Sequence, residues 1–544
     1  MKQLKLSRRE GLFGLGVMPL AACAPGESVT NAPAAINTEK AEERRWGKGF
    51  EGQRIADRGD GSFLNPIFAG DHPDPAILKD GDVYYVTFST FEAYPGLLVY
   101  RSYDLVNWEP LKPALNTYIG SVWAPDLIKH NDRFYMYIPA RTSDYKSNYV
   151  IWADNIEGPW SEPVDLFLHD HIDPGHIVGE DGKRYLFLSS GDMVQLSDDG
   201  LSTVGDVKHV YDPWRYPESW DVECFCPEGP KMLRKGDWFY MLTAVGGTAG
   251  PPTSHMVITA RSKSEHGPWE HAPNNPQVRT VTRAEQWWSR GHATPVEGPD
   301  GNWWLISHGY ENGYWTLGRQ ALLEPIKWRE DGWWESLGGD LSQPFAVPVS
   351  DKKVSHGAPL SDDFSGASLD TQWAFFRPET NEYDRLTLND GALVMQGKGA
   401  QPKDATPLCF KAGDLAYEVE VEIEREPGTR AGLLAFYNDN LYVGLAFDDE
   451  GMLFHRYGMQ RRRGSELPSG VERLFIRMKN DRHVVTFFYS LDGEKWLKFD
   501  VQMEVSGYHH NVGYGFLSLT PGIYAALNGK VKFRNLKYRA LDYF

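Results

Sequence analysis

The sequence predicts an all-β protein, in which a five-bladed β-propeller is followed by a β-sandwich. Two observations support this prediction. A unit made of a turn and a strand recurs five times in the first half of the chain, and strands of alternating polar and apolar residues fill the last third. Helical periodicity is scarce in the first half, which argues against a parallel α/β fold.

The recurring unit starts with a Gly, Asp or Asn turn and continues into aromatic and β-branched residues, as a hairpin turn entering a strand does. One aromatic position marks the strand in each copy: Tyr85, Tyr135, Tyr185, Tyr240 and Trp304. Successive positions are 50, 50, 55 and 64 residues apart. This spacing is typical of a four-stranded propeller blade with its loops, so five copies predict five blades.

A second set of residues stands seven to nine positions before each turn: Asp74, Trp123, Asp173, Glu228 and His292. The first strand of each propeller blade lines the central channel. We therefore expect these five side chains at the same end of five neighbouring inner strands. Three carboxylates, an indole and an imidazole would then meet from parts of the chain more than 200 residues apart.

Carboxylates brought together repel one another, so their pKa values should separate and one group should stay protonated near neutral pH. A pair of one base and one acid is what glycoside hydrolysis uses. Each residue also has an ordinary explanation when taken alone. Asp74 and Asp173 precede proline as turn residues do, Glu228 could be a solvated loop residue, and His292 could be a core histidine. Glu223 and Asp221 are alternatives for the role of Glu228.

Composition limits the class of partner. The chain has 544 residues, 56 Lys and Arg against 74 Asp and Glu, and a net charge of −18. This acidic balance argues against nucleic acid as a partner, because nucleic-acid binders carry a basic face. The 19 Trp, 27 Tyr and 26 Phe suit β-rich cores and ligands with flat apolar faces, such as sugars.

The N-terminus predicts export. Paired arginines, Arg8 and Arg9, precede an apolar stretch that is too short to span a bilayer, as in a twin-arginine signal. The segment LAAC ending at Cys23 resembles a lipoprotein processing site, so we expect a periplasmic protein or an outer-membrane lipoprotein with membrane contact through the lipid alone. A plain secretory signal with an incidental cysteine is the alternative.

Cys224 and Cys226 are interpreted as packed thiols, because they are too close in sequence for an easy disulfide bridge.

These features divide the chain into four segments. We predict an export signal over 1–23, a linker over 24–60, the propeller over 61–350 and the sandwich over 358–544. Alternating strands such as LAYEVEVEIE, which starts at Leu415, predict the sandwich.

Several motifs of the first half resemble glycoside hydrolase family 43, which comprises inverting β-xylosidases, α-L-arabinofuranosidases and arabinanases. They include NPIFAGDHPDPAI at 65–77, VWAPDL at 122–127, EGP at 228–230 and LGR at 317–319. Matched position by position, Asp74 resembles the general base, Glu228 the general acid and Asp173 the carboxylate that raises the pKa of the acid. Arg319 resembles an arginine that binds a substrate hydroxyl, and Phe91 and Trp123 resemble aromatic walls of the sugar pocket. His292 is expected at the same pocket.

The resemblance implies an exo-acting glycosidase that removes xylose or arabinose units from xylan-type oligosaccharides. The alternative is a polysaccharide-binding lipoprotein that kept the fold without activity. Some relatives hold a calcium ion near the histidine that matches His292, and such a site would be completed mostly by water molecules. The alternative is a hydrogen-bonded histidine in the core. Asp71 stands where xylosidases often have an aromatic residue, and Gln320-Ala321 replaces a common Glu-Thr pair.

The C-terminal part resembles the concanavalin-like sandwich appended to many β-xylosidases of this family. Its expected function is a loop that helps to close the active site and shortens it to one or two sugars. The alternative is a stabilising or carbohydrate-binding appendage.

Overall fold

The computed structural model describes residues 46–462, 467–468 and 470–541. The predicted export signal, with Cys23, lies outside the described residues. Within the described part, no helix has the length and apolar character needed to cross a membrane. The interval predicted as a linker contains ordered structure from residue 46 onwards, including a hairpin of Gly47–Lys48 and Arg54–Ile55.

Five antiparallel sheets, which we number as blades I to V in chain order, form the propeller that the sequence predicts. Blade I consists of Ala76–Asp80, Val83–Thr87, Gly96–Ser102 and Glu109–Leu115. Blade II consists of Asp126–His130, Arg133–Arg141, Lys146–Ala153 and Val164–Asp165, with Ser121–Val122 paired to its second strand. Blade III consists of Gly175–Val178, Arg184–Leu188, Asp192–Leu196 and Thr203–His209.

Blades IV and V complete the ring. Blade IV consists of Glu228–Lys235, Trp238–Val245, Met256–Ser262 and Glu270–His271, with Val278–Arg279 paired to its third strand. Blade V consists of Trp287–Glu297, Trp303–Glu311, Arg319–Trp328 and Trp334–Ser336. The five aromatic repeat positions all lie in second strands, so the repeat does mark one strand per blade.

Hydrogen bonds between the two ends of the propeller close it. Ser62–Phe63 pairs with Phe345–Ala346, and buried Asn65 forms two hydrogen bonds with the backbone of Leu323 in blade V. These contacts join segments about 260–280 residues apart in sequence, so the first blade is fixed against the last.

The C-terminal sandwich packs two sheets around one apolar core. One sheet follows the order Met459–Arg461, Gly451–Arg456, Leu441–Asp448, Thr429–Asn438, Thr520–Leu527, Leu408–Cys409 and Ala374–Phe376. The other follows the order Leu386–Leu388, Leu393–Gln396, Lys530–Ala540, Ala416–Arg425, Arg473–Asp481, Val484–Ser490 and Leu497–Glu504. The alternating strands read from the sequence are therefore confirmed as a sandwich.

A propeller strand extends the sandwich. Ala93–Tyr94, in the loop that follows the second strand of blade I, pairs with Ala374–Phe376 as the last strand of the first sheet. Backbone hydrogen bonding thus continues from the sandwich into the loop that carries Phe91. The two domains share a sheet at the rim of the propeller, close to the predicted sugar pocket.

The remaining strands and helices are short. The part of the chain that the structure describes contains five 3-10 turns, at Phe50–Gly52, Ser189–Gly191, Trp315–Leu317, Glu382–Arg385 and Pro402–Asp404. A single α-helical turn at His510–Gly513 lies in the sandwich loop 505–519. That loop contacts the propeller, because the Leu519 N–H donates to the Thr316 carbonyl at 2.8 Å.

The cysteine prediction is wrong. Cys224 and Cys226 form a disulfide, with their Cα atoms 5.5 Å apart, which is an ordinary separation for a disulfide. Two residues suffice because the chain turns sharply there, with Cys226 at φ 34°. Cys409 is free and buried.

Candidate active site

The three predicted carboxylates enter the channel from blades I, III and IV. Asp74 and Asp173 stand two residues before the inner strands of their blades, and Glu228 opens the inner strand of blade IV. His292 lies within the inner strand of blade V. The register of the repeat therefore does bring these side chains to one end of the channel.

Three of these positions have a left-handed backbone conformation. Asp74 and Asp173 both have φ 56° and His292 has φ 51°, in the left-handed region that side chains disfavour. Such conformations cost about 1–3 kcal/mol each and persist where surrounding structure enforces them, commonly at functional sites. The same turn in three blades aims three side chains at one point.

Asp74 has the densest set of contacts. Its Oδ1 accepts a hydrogen bond from Arg319 Nη1 at 2.9 Å, and its Oδ2 accepts one from Ser89 Oγ at 2.6 Å. His292 Nδ1 lies 3.3 Å from Oδ1, and the Asp74 backbone N–H donates to His308 Nδ1 at 3.0 Å. Burial raises the pKa of Asp74, but its neighbours, with the Arg319 guanidinium first among them, outweigh burial and hold the pKa well below its usual value. Asp74 is therefore an anion at neutral pH.

The other two carboxylates have the opposite tendency. Burial, followed by the charge of Asp74, raises the pKa of Asp173. Burial, then Asp173 and Asp74, raises the pKa of Glu228 well above its usual value. The Asp173 carboxyl group accepts a hydrogen bond from the Gly229 N–H at 3.1 Å, which holds it beside Glu228, the residue before Gly229. One anion therefore faces a protonated carboxylic acid, which is the division of roles that acid–base catalysis requires.

His292 adjoins two of the carboxylates. Its side chain is 2% exposed, and Nδ1 is 3.3 Å from Asp74 and 4.0 Å from Asp173. A Cβ atom at position 229 would be 2.8 Å from the His292 ring, so only glycine there allows the ring to approach. Burial lowers the pKa of His292 to about 3, so the imidazole is neutral.

Calcium does not fit the donor atoms gathered here. Glu228, His255 and His292 have ligand atoms within 4.8 Å of one another, which is close enough for a metal ion. They offer one carboxylate oxygen and two imidazole nitrogens, whereas calcium takes roughly six to eight oxygen ligands, so water would have to supply nearly all of them.

An aromatic group forms one wall of the cleft. The Phe91 and Trp123 rings are 6.4 Å apart, and a third ring, Phe516, lies 5.9 Å from Phe91 and 5.8 Å from Trp123. The Arg319 guanidinium lies 5.1 Å from the Phe516 ring. Phe516 comes from the sandwich loop 505–519, so the second domain supplies part of this wall.

Sequence reasoning placed the sandwich loop near the site but did not identify Phe516. No local pattern distinguishes it, because its role depends on how two domains pack. His308 was also missed, although it lies in the fifth copy of the repeat. His255, 3.9 Å from Glu228, was missed as well.

Asp71 is not equivalent to Asp74. Its Oδ1 accepts the Arg319 backbone N–H at 3.1 Å, and its carbonyl accepts a hydrogen bond from Lys411 Nζ of the sandwich at 2.5 Å. Burial raises the pKa of Asp71 to about 6. Asp71 thus supports the backbone of Arg319, while the guanidinium itself holds Asp74.

The two acidic alternatives to Glu228 are engaged elsewhere. Glu223 Oε2 accepts the N–H groups of Ala249 and Gly250, both at 2.9 Å. Asp221 is exposed and pairs with Arg283 at 2.8 Å. Glu228 remains the carboxyl that adjoins Asp173.

Comparisons with known proteins show the family of the chain. The model of the family "Glycosyl hydrolases family 43" matches residues 63–334, which is half of the chain. The chain belongs to glycosyl hydrolase family 43. Residues 361–543 match "Beta xylosidase C-terminal Concanavalin A-like domain", which covers the sandwich of this family 43 protein.

Similar family 43 proteins include xylosidases and an arabinofuranosidase. A non-reducing end alpha-L-arabinofuranosidase of Bacteroides ovatus is 33% identical over 359 residues, which cover 62% of this chain and 65% of that protein. A xylan 1,3-beta-xylosidase of a Vibrio species is 28% identical over 80% of this chain and 90% of that protein. The crystal structure of a xylan beta-1,4-xylosidase from Bacillus halodurans C-125 superposes with a TM-score of 0.78 at 26% identity, covering 88% of this chain and 99% of that chain.

Proposed function

We propose that this family 43 protein is an inverting, exo-acting glycosidase that removes single xylose or arabinose units from the ends of xylan-type oligosaccharides. The observation that carries the proposal is the opposed ionisation of Asp74 and Glu228 in one cleft. The names of the related xylosidases and the arabinofuranosidase support the class of sugar.

In the proposed reaction, Asp74 accepts a proton from a water molecule as the water oxygen attacks the anomeric carbon. Both Asp74 oxygens are already hydrogen-bonded, but each carboxylate oxygen has a second lone pair for the water. Glu228 donates its proton to the glycosidic oxygen as the bond from that oxygen to the anomeric carbon breaks. The attack from the opposite face inverts the configuration, which requires the carboxyl groups to lie roughly 6.5–9.5 Å apart.

Asp173 has the role of keeping Glu228 protonated. Burial and Asp74 raise the pKa of Asp173 to about 8, and when Asp173 loses its proton its negative charge opposes the ionisation of Glu228. The hydrogen bond from the Gly229 N–H holds Asp173 next to Glu228. Arg319 orients Asp74, and its remaining N–H groups suit a sugar hydroxyl. Phe91, Trp123 and Phe516 offer apolar faces to the sugar ring.

We also propose that the sandwich limits the length of the site. Phe516, whose ring lies beside Phe91 and Trp123 of the propeller, belongs to loop 505–519, and the His510 ring of the same loop stacks on it at 4.2 Å. A wall on that side suits a cleft that accepts the end of a chain and not its middle.

Two aryl glycosides test the proposal. 4-Nitrophenyl β-D-xylopyranoside and 4-nitrophenyl α-L-arabinofuranoside report hydrolysis directly, and at least one should be cleaved at a rate that falls on Asp74→Ala substitution. A polysaccharide-binding protein would retain bound oligosaccharide and cleave neither compound.

We further propose that the protein is exported, with Cys23 lipidated as its membrane anchor. Labelling cells with a clickable fatty acid tests this part. Label in the wild type that disappears in Cys23→Ala supports the anchor, whereas label in both or in neither contradicts it.

A further inference from the structure

His255 is a buried imidazole at the active site whose hydrogen-bonding groups are unused. It directly precedes the third strand of blade IV, and its side chain is fully buried. Among the residues that the structure describes, neither ring nitrogen has a hydrogen-bond partner. Buried polar groups are paired in the large majority of cases, so an unpaired imidazole in a catalytic cleft calls for a ligand or a transient partner.

Packing fixes the direction of the ring. His255 stacks on His308 with ring centres 5.3 Å apart and an interplanar angle of 7°. Gly291 gives it room, because a Cβ atom there would lie 1.8 Å from the His255 ring. The ring therefore presents Nε2 to Glu228 Oε1 at 3.9 Å. The Glu228 side chain is 22% exposed to the cleft, so a small rotation closes this gap.

The charge state of His255 limits what it can do. Burial lowers the pKa of His255 well below its usual value, with further lowering by His308, His292 and Arg319, against the effect of Asp74. Glu228 in turn is faced by Asp173, Asp74, Arg319 and Glu223. A neutral imidazole has one N–H donor and one lone pair. It can donate to a carboxylate without bringing a positive charge into the site.

We propose that His255 is a positioning residue for the leaving-group proton, with its Nε2–H donating to Glu228 Oε1 as Glu228 becomes a carboxylate. The inference rests on the proposed function. Glu228 gives its O–H proton to the glycosidic oxygen, the bond from the anomeric carbon to that oxygen breaks, and the carboxylate left behind accepts the His255 N–H. After product release Glu228 regains a proton from solvent, and His255 keeps its own throughout.

This contact is needed most where protonation limits the rate. Three carboxylates in one cleft make Glu228 a weak acid, and a donor to its conjugate base restores acidity in the transition state. Substrates with poor leaving groups, such as xylobiose, depend on that acidity. Aryl glycosides with an activated leaving group do not.

Two substitutions test the proposal. We expect His255→Phe, which keeps the ring shape without a donor, to lower kcat/KM on xylobiose by about tenfold, the loss of one hydrogen bond to a charged group. On 2,4-dinitrophenyl β-D-xylopyranoside the change should stay within about twofold. His255→Gln, whose amide nitrogen replaces Nε2, should retain most activity on both. His455→Phe, at a buried histidine of the sandwich, is the control for losing an imidazole and should change neither rate.

The pH profile gives an independent readout. Removing a donor to the Glu228 carboxylate raises the pKa of Glu228, so the basic limb of kcat/KM should move to higher pH in His255→Phe. Equal losses on both substrates, or a basic limb that stays or moves to lower pH, would overturn the proposal. If His255→Phe does not fold, His255→Asn against His255→Gln decides, because Asn places its amide at the Nδ1 position. Equal activity of these two contradicts the assignment.

Failure of the proposed function looks different from failure of this inference. A wild-type protein that cleaves neither aryl xyloside nor aryl arabinofuranoside refutes the glycosidase itself. If the wild type is active and the His255→Phe variant loses activity equally on the activated and unactivated substrates, only the role of His255 is refuted.

Discussion

Arg319 and Asp74 are joined by a hydrogen bond of 2.9 Å between Nη1 and Oδ1, although 245 residues separate them in sequence. The hydrogen bond joins the last blade to the first, because Arg319 begins the third strand of blade V and Asp74 precedes the first strand of blade I. A permanently charged guanidinium keeps Asp74 ionised inside a buried site, where a carboxylate alone would take up a proton. The base is thereby available at neutral pH.

Substituting the two catalytic carboxylates should give different substrate profiles. Asp74→Ala should lower kcat by roughly 10²–10⁴-fold on both activated and unactivated substrates, because every substrate needs an activated water. Glu228→Ala should be as severe on xylobiose but mild on dinitrophenyl xyloside, whose leaving group departs without protonation. Equal losses on both substrates in both variants would show that the roles are assigned wrongly. Steady-state kinetics with the two substrates make the measurement.

The pH dependence follows from the two shifted pKa values. The active form has Asp74 ionised and Glu228 protonated. Because the pKa of Asp74 is depressed, activity should be lost on the acid side only at strongly acid pH, and because the pKa of Glu228 is raised, activity should persist above neutrality. In Asp173→Asn this position cannot acquire the negative charge that Asp173 takes on as the pH rises through about 8, so the basic limb of kcat/KM should move to lower pH. An unmoved basic limb would exclude Asp173 as the group that sets the acidity of Glu228.

Phe516 should matter for substrate binding although it belongs to the second domain. Phe516→Ala removes one of three rings at the cleft wall, and we expect KM for aryl xyloside to rise about tenfold, equivalent to about 1.4 kcal/mol. Tyr514→Ala is the matched control, because Tyr514 is in the same loop and is 81% exposed. An unchanged KM in Phe516→Ala would mean that the sandwich does not contribute to the sugar pocket.

The sequence predicted the propeller because its repeat is local. Each copy contains its own turn and strand, so the positions of Tyr85 and Trp304 reveal strands without knowledge of the rest of the molecule. The register of Asp74, Asp173, Glu228 and His292 follows from the same repeat. Equivalent positions in a ring of blades point to one axis, and the structure brings these side chains to one end of the channel.

Features that depend on contact between domains were not readable from the sequence. Phe516 reaches the cleft because loop 505–519 packs on the propeller, and the Lys411 contact with Asp71 likewise crosses the interface.

Two features within the propeller were also not predicted. The prediction for Cys224 and Cys226 was wrong because it considered their spacing in sequence without the backbone turn at Cys226. His255 carries no motif, and its role depends on the space left by Gly291.

Removing divalent cations should leave the enzyme unchanged. The donor set of Glu228, His255 and His292 lacks the oxygens that calcium requires, so dialysis against EDTA should alter neither kcat nor Tm. Added calcium should also have no effect on the dialysed protein. Loss of activity on dialysis, restored by calcium, would contradict this account and make His292 a metal ligand.

The stereochemistry of the product tests the central claim, that Asp74 and Glu228 act on opposite faces of one bond through a water molecule. Proton NMR during the first minutes of hydrolysis, before mutarotation, identifies the anomer that is released. From an aryl β-D-xylopyranoside the account predicts α-xylose as the first product, with β-xylose following by mutarotation. Initial release of β-xylose would mean a covalent intermediate on the enzyme and would contradict the assignment of Asp74 as a base.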